Sequence, residues 1–202
     1  MSNKTTQKTN ILEAASTLFA SNGYSSVSMR DVAAAVGVTP ANLYYHFKDK
    51  DELIRDSLSM VFLQHLQPLE GLLDEHDSPE KRLEILVVWM VRVLYTRKRY
   101  TRLIVRELLD GTDERIEYMT KTVFNKLHRM LKELISECAG SQDPLMNASS
   151  LMGLVLGRCI MSRVTPHLDG TGEHPMELDS ITNNTLAILR ATFLSDKDSR
   201  KV

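Results

Sequence analysis

Ala41, Asn42 and Tyr45 are the residues of this chain whose types and spacing suit recognition chemistry. An asparagine amide can make two hydrogen bonds to an adenine edge, and an alanine methyl can touch a thymine methyl. Tyrosine and histidine can bond a phosphate or stack on a sugar. In PANLYYHF (residues 40–47) these types fall on one side of a helix. At about 100° per residue from Leu43, the opposite face carries Ala41 and Tyr45, with Asn42 and His46 to one side and Tyr44 to the other. Leu43 and Phe47 are four apart and share the side that must be buried. Ser28, Thr39 and Lys50 each stand at the start of a helix, where outward N–H groups and a polar side chain can together hold a backbone phosphate.

Such a surface works only if a short helix is held firmly, and the surrounding residues supply the means. Ser28 is an N-cap, and Asp31 three residues on completes a weaker form of the capping box while adding favourable charge at the helix start. Met29, Val32, Ala33 and Val36 form the inner face of that helix. Gly37 ends it and accepts the positive φ of a tight turn. Thr39 caps the next helix, with Pro40 at its first position, where a missing N–H costs nothing. Ahead of this pair, residues around 5–21 place Ile11, Ala15, Leu18 and Phe19 on one stripe, closed by Gly23. Ile11, Leu18 and Val32 are expected to share a small core with Leu43 and Phe47. The outline is a helix-turn-helix.

Helical periodicity continues along the chain, and no segment alternates with period two, so the fold is expected to be all-α with about nine helices. Further helices are expected from Asp49 or Lys50 toward Pro68 or Gly71, then over 79–97, 99–109, 113–139, 144–164 and 176–194. Residues 1–50 carry five Lys/Arg against three Asp/Glu, whereas the rest holds 20 against 23. The excess is small but has the sign of an N-terminal phosphate-binding module on an acidic body. Cys138 and Cys159 lack the spacing of a disulfide framework or a metal knuckle. No histidine pair has metal-ligand spacing, and no activated nucleophile or phosphate loop occurs, so neither an enzyme, a cofactor nor a metal is expected. No apolar run approaches a membrane span, and the N-terminus lacks a signal region; the expected location is cytoplasmic.

Residues 151–164, LMGLVLGRCIMSRV, are apolar nearly all round and need burial on two sides. Either a second copy of the chain supplies one side, or the helix is wholly internal to one body. In the first reading Gly153, Leu156, Gly157 and Ile160, with Leu186, Leu189 and Phe193 of the last helix, form a four-helix interface between two chains. The segment EILVVWMVRVLY (84–95) is likewise too apolar for a surface position. Its Trp89, Met90 and Tyr95, with Phe62, Tyr118, Phe124 and His128, either line a ligand pocket or are ordinary core. Arg92 is a lone charge in that segment. It binds a ligand carboxylate, pairs with an acid such as Glu107, or extends to water.

The run ILEAASTLFASNGYSSVSMRDVAAAVGVTPANLYYHFKDKDEL resembles the N-terminal domain of the tetracycline-repressor (TetR) family of bacterial transcription regulators. The likeness lies in LFA…GY, the hydroxyl residue before the second helix, Asp-Val-Ala, Gly-Val-Thr, and Leu-Tyr-Tyr-His-Phe followed by Lys-Asp-Lys. It fades beyond about residue 65. The resemblance implies a three-helix DNA-binding head (1–50), joined by a linking helix (about 49–66) to an effector-binding and dimerisation body (51–202). It also implies a homodimer on a palindromic operator. By position it makes Thr39, Ala41, Asn42, Tyr44, Tyr45 and His46 the recognition contacts, with Ser28 and Arg30 from the second helix and Lys50 from the fourth. Tyr24 falls at a packing position. The expected function is a ligand-responsive repressor released by a small, mostly apolar or aromatic effector. An activator, or an architectural or cell-cycle DNA-binding protein without an effector, is the alternative.

Overall fold

The computed structural model describes residues 3–74, 76–139, 143–168 and 177–194. No strand occurs among them, and the fold is all-α as expected. The helices are α1 (Asn3–Asn22), α2 (Met29–Val36), α3 (Pro40–His46), α4 (Lys50–Glu70), α5 (Pro79–Thr96), α6 (Lys98–Asp110), α7 (Asp113–Met119), α8 (Asn125–Ala139), α9 (Pro144–Met161) and α10 (Leu178–Leu189). Two π turns, Thr120–Phe124 and Arg190–Leu194, follow α7 and α10. The first interrupts the helix expected over 113–139, a local change of hydrogen-bond register that apolar periodicity does not reveal.

The chain divides into two compact units. One comprises Met1–Leu66 and Lys98–Phe124, the other Gln67–Arg97 and Asn125–Val202. In the first unit α1 packs on α2 and α6, and α2 packs on α3. Ile11, Ala15, Phe19, Val32, Leu43 and Phe47 are all buried there. Leu18, expected beside them, is only half-buried because it stands at the rim of the α1 stripe. In the second unit α5 packs against α8, α9 and α10, and α8 against α9. The ion pairs Arg82–Glu137 (2.5 Å) and Arg190–Glu84 (2.6 Å) lie at its surface, where such pairs contribute about 0–1 kcal/mol each.

The caps set the short helices. Ser28 Oγ accepts from the Asp31 N–H at 3.2 Å, and Asp31 Oδ2 accepts from the Ser28 N–H at 2.8 Å, a full capping box. Gly37 closes α2 at φ +70° with its N–H on the carbonyls of Ala33 and Ala34. Thr39 Oγ1 accepts from the Asn42 N–H at 3.2 Å, opening α3. The hydrogen bonds from the Ser28 side chain and backbone hold the Asp31 carboxyl below its ordinary 3.8. The folded carboxylate therefore binds its proton less tightly than the unfolded one. Its stabilising contribution is present above pH 3.8 and fades as pH falls through the lower, folded value. Thermal melts of Asp31→Asn against the parent protein should differ at neutral pH and converge in acid; an unchanged difference down to pH about 2 would disprove the linkage.

One expectation needs correcting. By length and composition α9 is apolar enough to cross a bilayer, although no such run was expected. Its polar residues are Asn147, Ser149, Ser150 and a single charge, Arg158, and the leucines, methionines and valines around them outweigh these four. Within the chain α9 buries only Ala148, Leu151 and Val155.

Candidate nucleic-acid interface

α3 is anchored from one side and open on the other. Leu43 is fully buried and Phe47 nearly so, while Tyr44 and Tyr45 are 54% and 70% exposed. Ala41, Arg30, Ser28 and Thr39 are exposed as well. Ala41 and Thr39, beside the exposed Tyr44 and Tyr45, are small enough to let another surface approach closely. The hydroxyls of Ser28 and Thr39 already serve their caps, and the Ser28 N–H serves Asp31, so a phosphate would be met by the other N–H groups of these first turns.

Three of the nine residues expected at this surface, Asn42, His46 and Lys50, are half-buried. Asn42 is half-buried, and its Oδ1 is covered without a hydrogen bond among the described residues. Its amide must turn outward before it can make both bonds to an adenine. His46 is half-buried with Nε2 3.4 Å from Gln7 Oε1, and its ring meets that of Tyr45 edge-on at 5.3 Å. Lys50 Nζ donates to the carbonyls of Tyr24 (2.8 Å) and Val27 (2.9 Å). That leaves one of its three hydrogens for a phosphate.

Lys50 belongs to a larger constellation around Tyr24. Its Nζ stands 4.0 Å from the Tyr24 ring centroid, and the Arg115 guanidinium carbon stands 3.9 Å from the same centroid. Tyr24 Oη donates to Asp51 Oδ1 at 3.0 Å, and Arg115 Nη1 lies 3.5 Å from that oxygen. Arg115 Nε donates to Glu107 Oε2 at 2.9 Å, with both residues buried. Burial, with the hydrogen bond to Asp51, pushes the Tyr24 phenol up to about 12. It therefore stays protonated and donating at neutral pH. Burial also pushes the Glu107 carboxyl up, against the pull of Arg115. Sequence reasoning placed Tyr24 in packing but missed Arg115. Glu107 and Arg115 flank the Gly111 break, so no helical spacing links them.

The residues expected around a ligand are divided between the units. Phe62, Tyr118 and Phe124 lie in the first, and Trp89, Met90, Arg92, Tyr95 and His128 in the second. Phe62 and Met90 are buried, Tyr118 Oη is 2.6 Å from Ser59 Oγ, and His128 Nε2 is 3.2 Å from Ser149 Oγ. Arg92 is exposed, and Glu107 pairs with Arg115 instead. An open groove of about 440 Å³ in the first unit is lined by other residues, among them Lys8, Leu12, His46 and Met60.

On α9, Gly153 and Ile160 are exposed, and Leu156 and Gly157 half-buried. Gly153, Leu154, Gly157, Arg158, Met161 and Thr165 line an open groove of about 450 Å³. A Cβ added at either glycine would meet nothing within 4 Å. Leu186 of α10 is half-buried. Leu189 was expected on the outward face, yet it is fully buried. It falls on the side of α10 shared with Ile181 and Thr185, eight and four residues earlier, and so belongs to the unit's own core. The Phe193 side chain lies outside the described residues.

Residues 11–56 match the domain described as bacterial regulatory proteins, tetR family. The chain is 25% identical over 138 residues to the nucleoid occlusion factor SlmA of Marinomonas sp. (strain MWYL1), covering 68% of this chain and 70% of that one. It is 35% identical over 77 residues to the HTH-type transcriptional repressor KstR2 of Mycolicibacterium smegmatis, 36% of each chain. Among solved structures, the fatty acid degradation regulator FadR from Bacillus halodurans shares the fold. Its TM-score is 0.73 at 18% identity, over 91% of this chain and 96% of that one. The matched segment runs from the core residues of α1 through the whole of the exposed α3 surface, and residues 11–56 form a domain of the tetR family of bacterial regulatory proteins.

Proposed function

We propose that this regulator is a homodimeric, ligand-responsive repressor that reads a palindromic operator with α3. The observation that carries the reading is the exposed Ala41–Tyr44–Tyr45 side of a helix whose other side, Leu43 and Phe47, is buried. Residues 1–50 act as the reading head and 51–202 as the effector-binding and dimerisation body. Thr39, Ala41, Asn42, Tyr44, Tyr45 and His46 are the proposed groove contacts, with Ser28 and Arg30 at phosphates and Lys50 holding the turn before α2. Two heads would enter major grooves about 34–36 Å apart on one side of the duplex.

The dimer face is α9. Its two glycines open a groove that the described residues leave unfilled. Arg158 Nε is covered without an acceptor among the described residues, and an acceptor from a second copy would satisfy it. The effector is a small, mostly apolar or aromatic molecule, with Trp89, Met90, Tyr95 and His128 of the second unit as first candidates to hold it. A ligand favouring the non-binding arrangement by about 1–3 kcal/mol would weaken DNA binding about 5–150-fold, and DNA would weaken ligand binding equally. The protein would act in the cytoplasm.

A second reading keeps the DNA surface without an effector. It is supported by the likeness to a nucleoid occlusion factor, which extends well beyond the head, whereas the likeness to KstR2 covers about a third of the chain. Gel-shift with the DNA upstream of the protein's own gene, with and without cell extract, separates the two: release by a dialysable component supports the switch. Tyr45→Ala should lose about 1–3 kcal/mol of specific binding with stability changed by no more than about 0.5 kcal/mol. Unchanged affinity in that variant would remove α3 as the reading element.

A further inference from the structure

We infer that Tyr24 is the positioning residue of the reading head, clasped by Lys50 and Arg115, and that Lys50 serves DNA reading through this clasp rather than through a phosphate. The inference rests on α3 being the DNA-reading element. Three segments meet at one ring, the turn between α1 and α2, the start of α4, and α7, and the end of α6 joins them through Arg115. Lys50 holds the turn at two carbonyls, Tyr24 and Val27. Val27 immediately precedes Ser28, the cap of α2, so what holds Val27 holds the first turn of the helix against which α3 packs. Asp51 accepts from the Tyr24 hydroxyl and faces Arg115, which is itself tied to Glu107 and to the Asp110 carbonyl at 3.3 Å.

The energetics favour a geometric role. A buried Arg–Glu pair gains little net stability over apolar residues of similar volume, because both charges must leave water. What it adds is direction, since a planar guanidinium with a bound carboxylate can lie over an aromatic ring in few orientations. Lys50, with two hydrogens on carbonyls and its charge beside the ring, has little left for a phosphate. A residue acting through position should change how well the correct sequence is told from others, because α3 would meet the groove at the wrong pitch. A phosphate contact should instead weaken all DNA alike and lower the salt dependence.

The test uses the full chain, a duplex enriched from a random library by the wild type, and a scrambled duplex of equal length. Tyr24→Leu keeps apolar bulk but removes the ring and hydroxyl; Tyr24→Phe keeps the ring. Tyr24→Leu should weaken the specific complex at least tenfold and the scrambled one less than twofold, whereas Tyr24→Phe should keep the ratio within threefold of wild type. Simple loss of stability would lower both complexes together and leave the ratio unmoved. Lys50→Met should weaken specific binding with an unchanged slope of log affinity against log salt. A specificity ratio retained in Tyr24→Leu overturns the inference, as does a slope reduced by about 1.8 in Lys50→Met, the signature of one lost phosphate contact in each of the two heads. If Tyr24→Leu does not fold, Arg115→Lys takes its place; it keeps the charge on Glu107 but not the planar group over the ring, and the same criterion applies. Should the wild type enrich no duplex, the DNA-reading assignment of α3 itself fails, whatever the clasp variants do.

Discussion

Phe47→Ala should destabilise the first unit by about 3–5 kcal/mol, the cost of removing a fully packed aromatic ring together with the cavity left behind. Phe47 is 1% exposed, caps α3 in extended backbone, donates its N–H to the Leu43 carbonyl, and lies under the Lys8 ammonium at 5.2 Å. Domains of this kind are stable by about 5–15 kcal/mol, so a loss of that size removes a large share of the total. The midpoint of denaturant unfolding should fall steeply, with DNA binding lost alongside. The comparison with Tyr45→Ala is what makes the result informative. Two aromatic residues two positions apart on one short segment should fail in opposite ways, one in stability and the other in binding. A cost below about 1 kcal/mol for Phe47→Ala would mean that α3 is not anchored as described.

Placing glutamates at both Gly153 and Gly157 should convert a dimer to a monomer while leaving the helical content of the chain intact. In the single chain an added Cβ at either position meets nothing within 4 Å, and glutamate is a better helix former than glycine by about 0.5–1 kcal/mol. Against a second copy the same side chains would bring charges into an apolar contact, where an unpaired carboxylate costs several kcal/mol. Sedimentation equilibrium with circular dichroism on the same samples checks both halves of the expectation. Specific DNA binding should fall with the dimer, because one head alone reads half a site. A double variant that sediments as the parent does would move the dimer face away from α9.

The helices, the capping box, the left-handed Gly37 and the inward pair Leu43/Phe47 were all legible in the sequence. Each of these signals is complete within three to eight consecutive residues, a span over which backbone geometry is nearly independent of the rest of the molecule. The exposed side of α3 followed from the same local periodicity. Three features could not be read that way, and each depends on residues far apart in the chain. Lys50 looked available to a phosphate until the carbonyls of Tyr24 and Val27 came within its reach. Arg115 gave no local hint of its place beside Tyr24, and Glu107 was weighed against Arg92, which is exposed. Leu189 shared its outward assignment with Leu186, although only one side of α10 faces the unit's core. The sequence by itself determined which segments are helical, the caps of the short helices, and which side of each short helix is apolar. Only the tertiary structure decided which charges meet and which apolar sides are already covered, because those outcomes depend on distances between segments that chain-local spacing does not encode.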